Sequence, residues 1–314
     1  MIIAAQNKND EERRYSSSGG VFPLIARKII NDGGIVYGVA FNDDFAIEHV
    51  GIEKVDSIHR LCGSKYAFSK CNIFPDIKRN LDDNRLVLFT GTPCQTAALR
   101  SYLKRDYDNL YILDNICHGT PYNDLWNGYL KERSNGKRIQ SISFRDKSNG
   151  WQHYRFVIKY TDGSEYNVDH DKDLYMRGFI DNLTIREVCF QCPFKGINNR
   201  KSDITLGDFW GVWDMTPEMF DDKGTSLLFI NSQKGEKILS SVKDFLICFN
   251  VDEKRAISYN PSAINVSKPN IFYNKFWKEY KKTGRLISAL KKYAEPGFML
   301  KVDRKIHKVL TRDK

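Results

Sequence analysis
The residues best placed to do chemistry in this 314-residue chain are its seven cysteines. Cys189 and Cys192 form a Cys-x-x-Cys pair with Pro193 directly after it, a spacing that lets two thiolates grip one metal from a tight turn. Cys94 follows the apolar run Leu86 to Phe89 and the turn Gly91-Thr92-Pro93, and opens a helix expected over Gln95 to Leu103. Backbone N–H groups and the helix dipole favour a thiolate at such a place. Cys117 takes the equivalent position in the next unit, after the strand Leu110 to Ile116. Adjacent parallel strands lie about 4.8 Å apart, so Cys94 and Cys117 can converge on one object. Two pairs make four sulfur ligands, which suits tetrahedral zinc or a cubane iron–sulfur cluster. The Cys-x-x-Cys pair is also compatible with a structural zinc, a redox dithiol or chance. Isolated cysteines at strand ends are often just buried small residues. Cys62, Cys71 and Cys248 are expected in the core. His118 beside Cys117 is not expected to form a Cys–His dyad, because neighbours in sequence seldom face each other.

A second group of residues is suited to anions. Ser17-Ser18-Gly19-Gly20 precedes a helix with apolar positions Val21, Phe22, Leu24, Ile25, Ile29 and Ile30. Small residues there let backbone N–H groups approach a phosphate; an ordinary N-cap with glycine punctuation reads the same way. Gly63-Ser64-Lys65 supplies a further cation and hydroxyl. The stretch from Ser202 to Gly211 is dense in acids, glycines and aromatics and follows the cysteine pair as a site-shaping loop would.

These residues need a scaffold. Two strand–turn–helix units in series, Leu86–Leu103 and Leu110–Arg133, predict a parallel α/β layer. A strand over 2–5, a strand from Ile35 to Phe41 with a hairpin partner over 46–52, and a last strand over 227–231 complete it. Residues 138–168 switch to β hairpins, with alternation from Tyr154 to Tyr160 and a turn at Thr161-Asp162-Gly163. Residues 171–182 read as helix, and 189–213 as irregular. The fold class is α/β with an α+β mixture. The expected organisation is a catalytic domain over 1–235, a connecting segment over 236–269 and a basic helical tail over 270–314.

Composition bounds the rest. Apolar residues make up 41% and charged residues 28% of the chain, which excludes wholesale disorder. No stretch reaches the roughly 18 apolar residues of a membrane span. The start, Met1 to Gln6, is too short for a signal-peptide core, so the chain is expected in the cytoplasm. There, an odd number of clustered cysteines points to metal or redox groups rather than bridges. The net charge is +10, and residues 270–314 hold 13 Lys or Arg against 4 Asp or Glu. The basic character thus belongs to the tail. Its apolar residues, Phe272, Phe276, Trp277 and Tyr280, then Leu286, Ile287 and Leu290, then Val302, Ile306, Val309 and Leu310, predict two or three amphipathic helices broken near Gly284 and Pro296-Gly297. Such helices can contact an anionic membrane surface or an acidic protein, or simply present a solvated face. No nucleic-acid reader motif accompanies the charge, so nucleic acid is not an expected partner.

Taken in order, the motifs resemble a known family. Ser-Ser-Gly-Gly-Val-Phe (17–22), Gly-Ser-Lys-Tyr (63–66), Gly-Thr-Pro-Cys-Gln (91–95), Asp-x-x-Cys-His-Gly (114–119), Phe-Arg-Asp-Lys (144–147) with Gly-Trp (150–151), Cys-x-x-Cys-Pro-Phe (189–194) and Ser-Asp-Ile-Thr-Leu-Gly-Asp-Phe-Trp-Gly (202–211) are similar to the coenzyme F-420 hydrogenase/dehydrogenase beta-subunit family. The resemblance covers roughly residues 1–235. It implies an iron–sulfur flavoprotein oxidoreductase that binds FAD and a [4Fe-4S] cluster and passes electrons between the cluster and a hydride substrate at the flavin. Carried over by motif, Cys94, Cys117, Cys189 and Cys192 would hold the cluster. Ser17, Ser18, Gly19, Gly20, Gly63, Lys65, Gly91 and Thr92 would be flavin-side residues, with Lys65 stabilising charge on the reduced ring. Many relatives begin with a ferredoxin-like domain whose motifs are missing here. Electrons would therefore come from a separate ferredoxin-like carrier or partner subunit, with a small molecule as substrate. Shorter relatives point to a surface-polysaccharide pathway. The alternatives are a zinc-stabilised, non-redox binding or adaptor protein, and a thiol-nucleophile enzyme using Cys94.

Overall fold
The computed structural model describes residues 1–294. Among these, eleven strands build two sheets: β1 (Ile2–Asn7), β2 (Ile35–Phe41), β3 (Ile47–Ile52), β4 (Val87–Gly91), β5 (Leu110–Asn115), β6 (Ile139–Asp146), β7 (Arg155–Tyr160), β8 (Glu165–Asp169), β9 (Ile204–Asp208), β10 (Ser226–Ile230) and β11 (Leu246–Asn250). The large sheet has the order β11-β1-β10-β9-β5-β4-β2-β3, and β6-β7-β8 form a separate antiparallel sheet. The centre of the large sheet, β2, β4, β5 and β9, is parallel. Its flanks are antiparallel. The α/β class and the hairpin region are as the sequence predicts.

Alternation along the central strands sorts side chains between two cores. Val36, Leu88, Tyr111 and Leu113 face the helix Val21–Asn31 and the helix Gln233–Ser240. Ile35, Tyr37, Val87, Phe89, Leu110 and Ile112 face Ile77 and Leu81 of the helix Phe74–Asp82, and Leu99 and Leu103 of the helix Pro93–Leu103. The second predicted unit departs from this grammar. After β5 the helix Asn123–Ser134 leaves the large sheet, and its Leu125, Trp126, Tyr129 and Leu130 pack into a core shared with the hairpin sheet.

Besides the helices Phe74–Asp82 and Gln233–Ser240, which the sequence reading did not include, further elements differ from it. Asp10–Tyr15, read as a polar run, is a helix capped by Asn9, whose side chain accepts from the N–H groups of Glu11 and Glu12. Within 189–213, read as irregular, lies β9. Its apolar signal is interrupted by Thr205, Gly207 and Asp208, and Gly207 is required because a Cβ there would sit 2.4 Å from Ile116 Cδ1. β11, past residue 235, pairs with β1 as an edge strand. The helices Tyr273–Thr283 and Leu286–Ala294 form as predicted, parted by Gly284 at φ +65. Their Phe276, Leu286, Ala289 and Leu290 are fully buried in the hairpin-sheet core, so the apolar face of this segment is used inside the molecule. The third predicted helix, with Val302, Ile306, Val309 and Leu310, lies outside the described residues. Among the described residues no helix is long and apolar enough to cross a membrane.

Candidate functional site
The carboxyl ends of parallel strands collect ligands, because chain crossovers leave a crevice there. A cavity of about 540 Å³ opens at that edge. β4 contributes Thr90 and Gly91, β5 contributes Leu113 and Asp114, and β9 contributes Leu206 to Asp208. Arg145 and Tyr154 reach in from the hairpin layer, and Tyr259 to Ser262 close one side. The volume falls within the range of small-molecule and cofactor sites.

The anion-binding candidates gather here. Ser17, Ser18, Gly20, Gly63, Lys65, Gly91 and Thr92 all line the cavity. Ser64 Oγ donates to Ser17 Oγ at 2.8 Å, joining the two loops. Ser18 Oγ donates to the Thr225 carbonyl at 2.6 Å, so that hydroxyl serves the loop rather than a ligand. Gly19 does not line the cavity. Its N–H donates to Ser226 Oγ at 2.9 Å, and a Cβ on it would meet Ala5 O at 2.3 Å and Ser226 N at 2.6 Å. Gly19 is therefore a packing glycine, and Gly20, at φ +76, turns the chain into the Val21–Asn31 helix. That helix has no side-chain cap, and its Val21 and Phe22 face the cavity. Lys65 Nζ donates to the carbonyls of Cys62 at 2.9 Å and Gly63 at 3.3 Å. Burial pulls this ammonium down to about 8, with Cys62 opposing.

The Gly-Thr-Pro-Cys-Gln turn is held by a chain of hydrogen bonds. His49 Nε2 lies 3.0 Å from the Thr90 carbonyl and must donate to it, which leaves Nδ1 to accept from Ser69 Oγ at 3.0 Å. Gln95 Nε2 then donates to Ser69 Oγ at 2.9 Å. Gln95 Oε1 accepts from Thr92 N at 2.9 Å and from Thr92 Oγ1 at 3.0 Å. Thr92 Oγ1 is 3.2 Å from Cys94 Sγ. A buried histidine thus fixes the loop that carries Cys94.

Cys117 lines the cavity, and Cys94, Cys189 and Cys192 are not among its lining residues. Burial pushes the Cys117 thiol up to about 12; Lys195 opposes this, and Cys94 and Cys189 add to it as electrostatic neighbours. The helix-dipole expectation does not hold for Cys117, because the helix begins only at Asn123 and burial dominates. Lys195 interacts with Cys117, Cys192 and Cys189, and its Nζ donates to the carbonyls of Cys117 and Ser262. Gly119, at φ +144, passes so close to the pair that a Cβ would lie 3.5 Å from Cys189 Cβ. Cys94, Cys117 and Cys189 are thus electrostatic neighbours, and Cys192 shares Lys195 with Cys117 and Cys189. Among the described residues no three His, Cys, Asp or Glu side chains are grouped to hold a single metal ion. All seven cysteines are free. Cys62 lines the cavity, and Cys71 is an electrostatic neighbour of Cys94, with burial pushing its thiol to about 12. Cys62, Cys71 and Cys248 all pack against apolar cores as expected.

Several lining residues received no role from the sequence. Asp114 is buried on β5, 3.6 Å from Arg200, and burial raises its carboxyl. Thr120 Oγ1 and Arg145 Nε and Nη2 are buried with no hydrogen-bond partner, and both residues line this cavity. A buried polar atom without a partner costs about 1–3 kcal/mol, so unpaired donors on two sides of the cavity fit a polar ligand. Asp114 and Arg145 sit in motifs visible in the sequence. Tyr154, Phe179 and Tyr259 carry no local signal at all.

Residues 84–249 match the family described as the C terminus of the coenzyme F420 hydrogenase/dehydrogenase beta subunit. The chain belongs to that family. A chain of the F420-reducing [NiFe] hydrogenase complex from Methanosarcina barkeri, solved as a xenon derivative, is similar in structure: TM-score 0.59, 15% identity, covering 90% of this chain and 92% of that one. At that identity the likeness speaks for the fold. No curated protein matches the sequence. Membership of a hydrogenase/dehydrogenase beta-subunit family points to an oxidoreductase.

Proposed function
We propose that the protein is an iron–sulfur flavoprotein oxidoreductase. The cavity would take FAD, and Cys94, Cys117, Cys189 and Cys192 would hold a [4Fe-4S] cluster beside it. The observation that carries this is the coincidence of two sets. Seven of the eight flavin-side residues line one cavity, and Cys117, which also lines it, has Cys94 and Cys189 as neighbours. Four thiols on three turns suit the Cys₄ ligation of a cubane. When bound, a flavin accepts an electron pair as hydride and a cluster carries electrons singly.

The chain's own residues supply the setting. Ligation would remove the Cys117 proton that burial otherwise retains. Lys195 places a cation beside three of the thiols, and the Thr92 hydroxyl stands next to the fourth. Lys65 sits among carbonyls at the cavity edge, where a cation favours negative charge on a reduced ring. Tyr66, Phe179 and Trp210 give the walls apolar surface. Electrons would arrive from a ferredoxin-like carrier or partner subunit. The substrate would be a small molecule, with a cytoplasmic surface-polysaccharide pathway as its setting. The basic residues of the 270–314 segment offer a contact to an acidic protein.

The test is a visible absorption spectrum of anaerobically purified protein, with iron, zinc and acid-labile sulfide assayed on the same sample. The expected result is a flavin envelope over a broad shoulder that dithionite bleaches, with about four irons per chain. A colourless protein holding one zinc, after anaerobic reconstitution has also failed, overturns the redox reading in favour of a zinc-stabilised binding protein.

A further inference from the structure
Arg145 is the one arginine among the cavity-lining residues. Its side chain is 3% exposed, and Nη1 is paired with the Asp208 carboxylate. Its Nε and Nη2 donate to nothing in the protein. The guanidinium lies over the Tyr154 ring, 4.5 Å from its centre, and 5.6 Å from the centre of the Trp210 ring. Trp210 is in turn stacked on the fully buried Trp151, with ring centres 4.6 Å apart and planes 10° apart. The group is thus held in plane and anchored at one end. The atoms left over are the two that form the side-on fork of a guanidinium, which matches a pair of oxygens on a carboxylate or phosphate.

The N-terminus of a helix is tied to this group through the sheet. Asp208 is the cross-strand partner of Ser226, and Ser226 Oγ accepts from Gly19 N at the entrance to the eleven-residue Val21–Asn31 helix. Lys147, two residues beyond Arg145, donates to the Arg13 and Lys223 carbonyls at 2.6 and 2.9 Å and to the Ser18 carbonyl at 3.4 Å. The loop before the helix and the strand carrying Arg145 are therefore tied together. Of the cavity's described lining cations, Lys65 and Arg145, the latter is already paired with Asp208. Recognition would rest on donor geometry and the helix N-terminus rather than on net field.

We propose that Arg145 is the oxyanion clamp of the cavity, holding a phosphate or carboxylate through Nε–H and Nη2–H beside the N-terminus of the Val21–Asn31 helix. This rests on the reading of the cavity as a cofactor or substrate site. Because the guanidinium is covered, the entering group reaches it by turning aside the edge of Trp210 or Tyr154.

The experiment is calorimetric titration of the full chain with inorganic pyrophosphate, FAD and riboflavin, for wild type, Arg145→Lys and Arg145→Gln. Arg145→Lys keeps a cation for Asp208 and removes the fork, so it reports on the clamp where Arg145→Gln fails to fold. An FAD affinity weakened about tenfold or more in the variants, with riboflavin binding unchanged, supports the clamp and assigns the oxyanion to the cofactor's own diphosphate. Unchanged FAD affinity, with pyrophosphate binding to FAD-loaded wild type and lost in both variants, supports it and assigns the oxyanion to a second molecule. Binding of pyrophosphate through Arg145 in a protein that takes up no flavin leaves the clamp standing and sinks the flavin reading alone. Equal loss of FAD and riboflavin binding makes Arg145 a packing residue and overturns the proposal. So does a wild type that ignores pyrophosphate while all three proteins bind FAD alike.

Discussion
At the scale of single residues, His49 has the clearest consequence. It is buried, its ring is stacked 5.4 Å from Phe89, and both ring nitrogens are engaged. Burial drops its basicity from the ordinary 6.5 to about 4, against two opposing backbone hydrogen bonds. The fold therefore favours the neutral ring. Stability from this group is complete above pH 6.5. It falls as the pH drops from 6.5 towards 4, because the unfolded chain takes up a proton that the folded one refuses. At pH 5 the loss is about 2 kcal/mol. Urea midpoints measured at pH 7 and pH 5 should show this drop in wild type. In His49→Gln the difference between the two pH values should shrink by about that amount. A variant with the wild-type difference would place the titration on another group.

At the scale of elements, the sequence was legible where one periodicity dominated and opaque where position decided. β4 and β5 read as short apolar runs because both their faces are buried. β9 is equally buried at Ile204 and Thr205, yet Gly207 and Asp208, which pair with β10 and also line the cavity, erase its alternation. The helix Asn123–Ser134 was visible from its own pattern, but not its departure from the large sheet, since only the tertiary partners choose between two apolar surfaces. Those partners include Tyr273–Thr283 and Leu286–Ala294. The N–H groups of Leu286 and Ile287 donate to the Glu132 carboxylate at 2.6 and 3.0 Å, so the earlier helix caps the later one. Phe276 is fully buried, with ring centres of Trp277, Tyr280 and Tyr293 at 5.5, 6.3 and 6.4 Å. Phe276→Ala should cost about 3–5 kcal/mol in chemical denaturation, whereas Lys278→Ala on the exposed side should stay within about 0.5 kcal/mol. A small loss at Phe276 would mean that this segment is a surface appendage after all.

At the scale of the whole molecule, the cavity is a product of distance in sequence. Its walls come from around residues 17, 64, 91, 117, 145, 207 and 260. The sequence exposed most of these as short motifs because backbone constraints at glycines and the chemistry of cysteines are local. It could not expose Tyr154, Phe179 or Tyr259, which are ordinary aromatics until the hairpin layer folds over the strand ends. The large-sheet core and the hairpin core meet across this cavity, so a ligand that contacts both binds only when both are folded. Its binding energy then stabilises the two cores together, by about 2.7 kcal/mol at a hundredfold excess over Kd. Thermal unfolding with saturating FAD, followed by tryptophan fluorescence and by far-ultraviolet circular dichroism, should show both transitions moving up by a few degrees and remaining coincident. Trp126 reports the hairpin core and Trp210 the cavity wall. An upward shift in only one transition would confine the flavin to one core, and the closure of the cavity by the hairpin layer would then play no part in holding it.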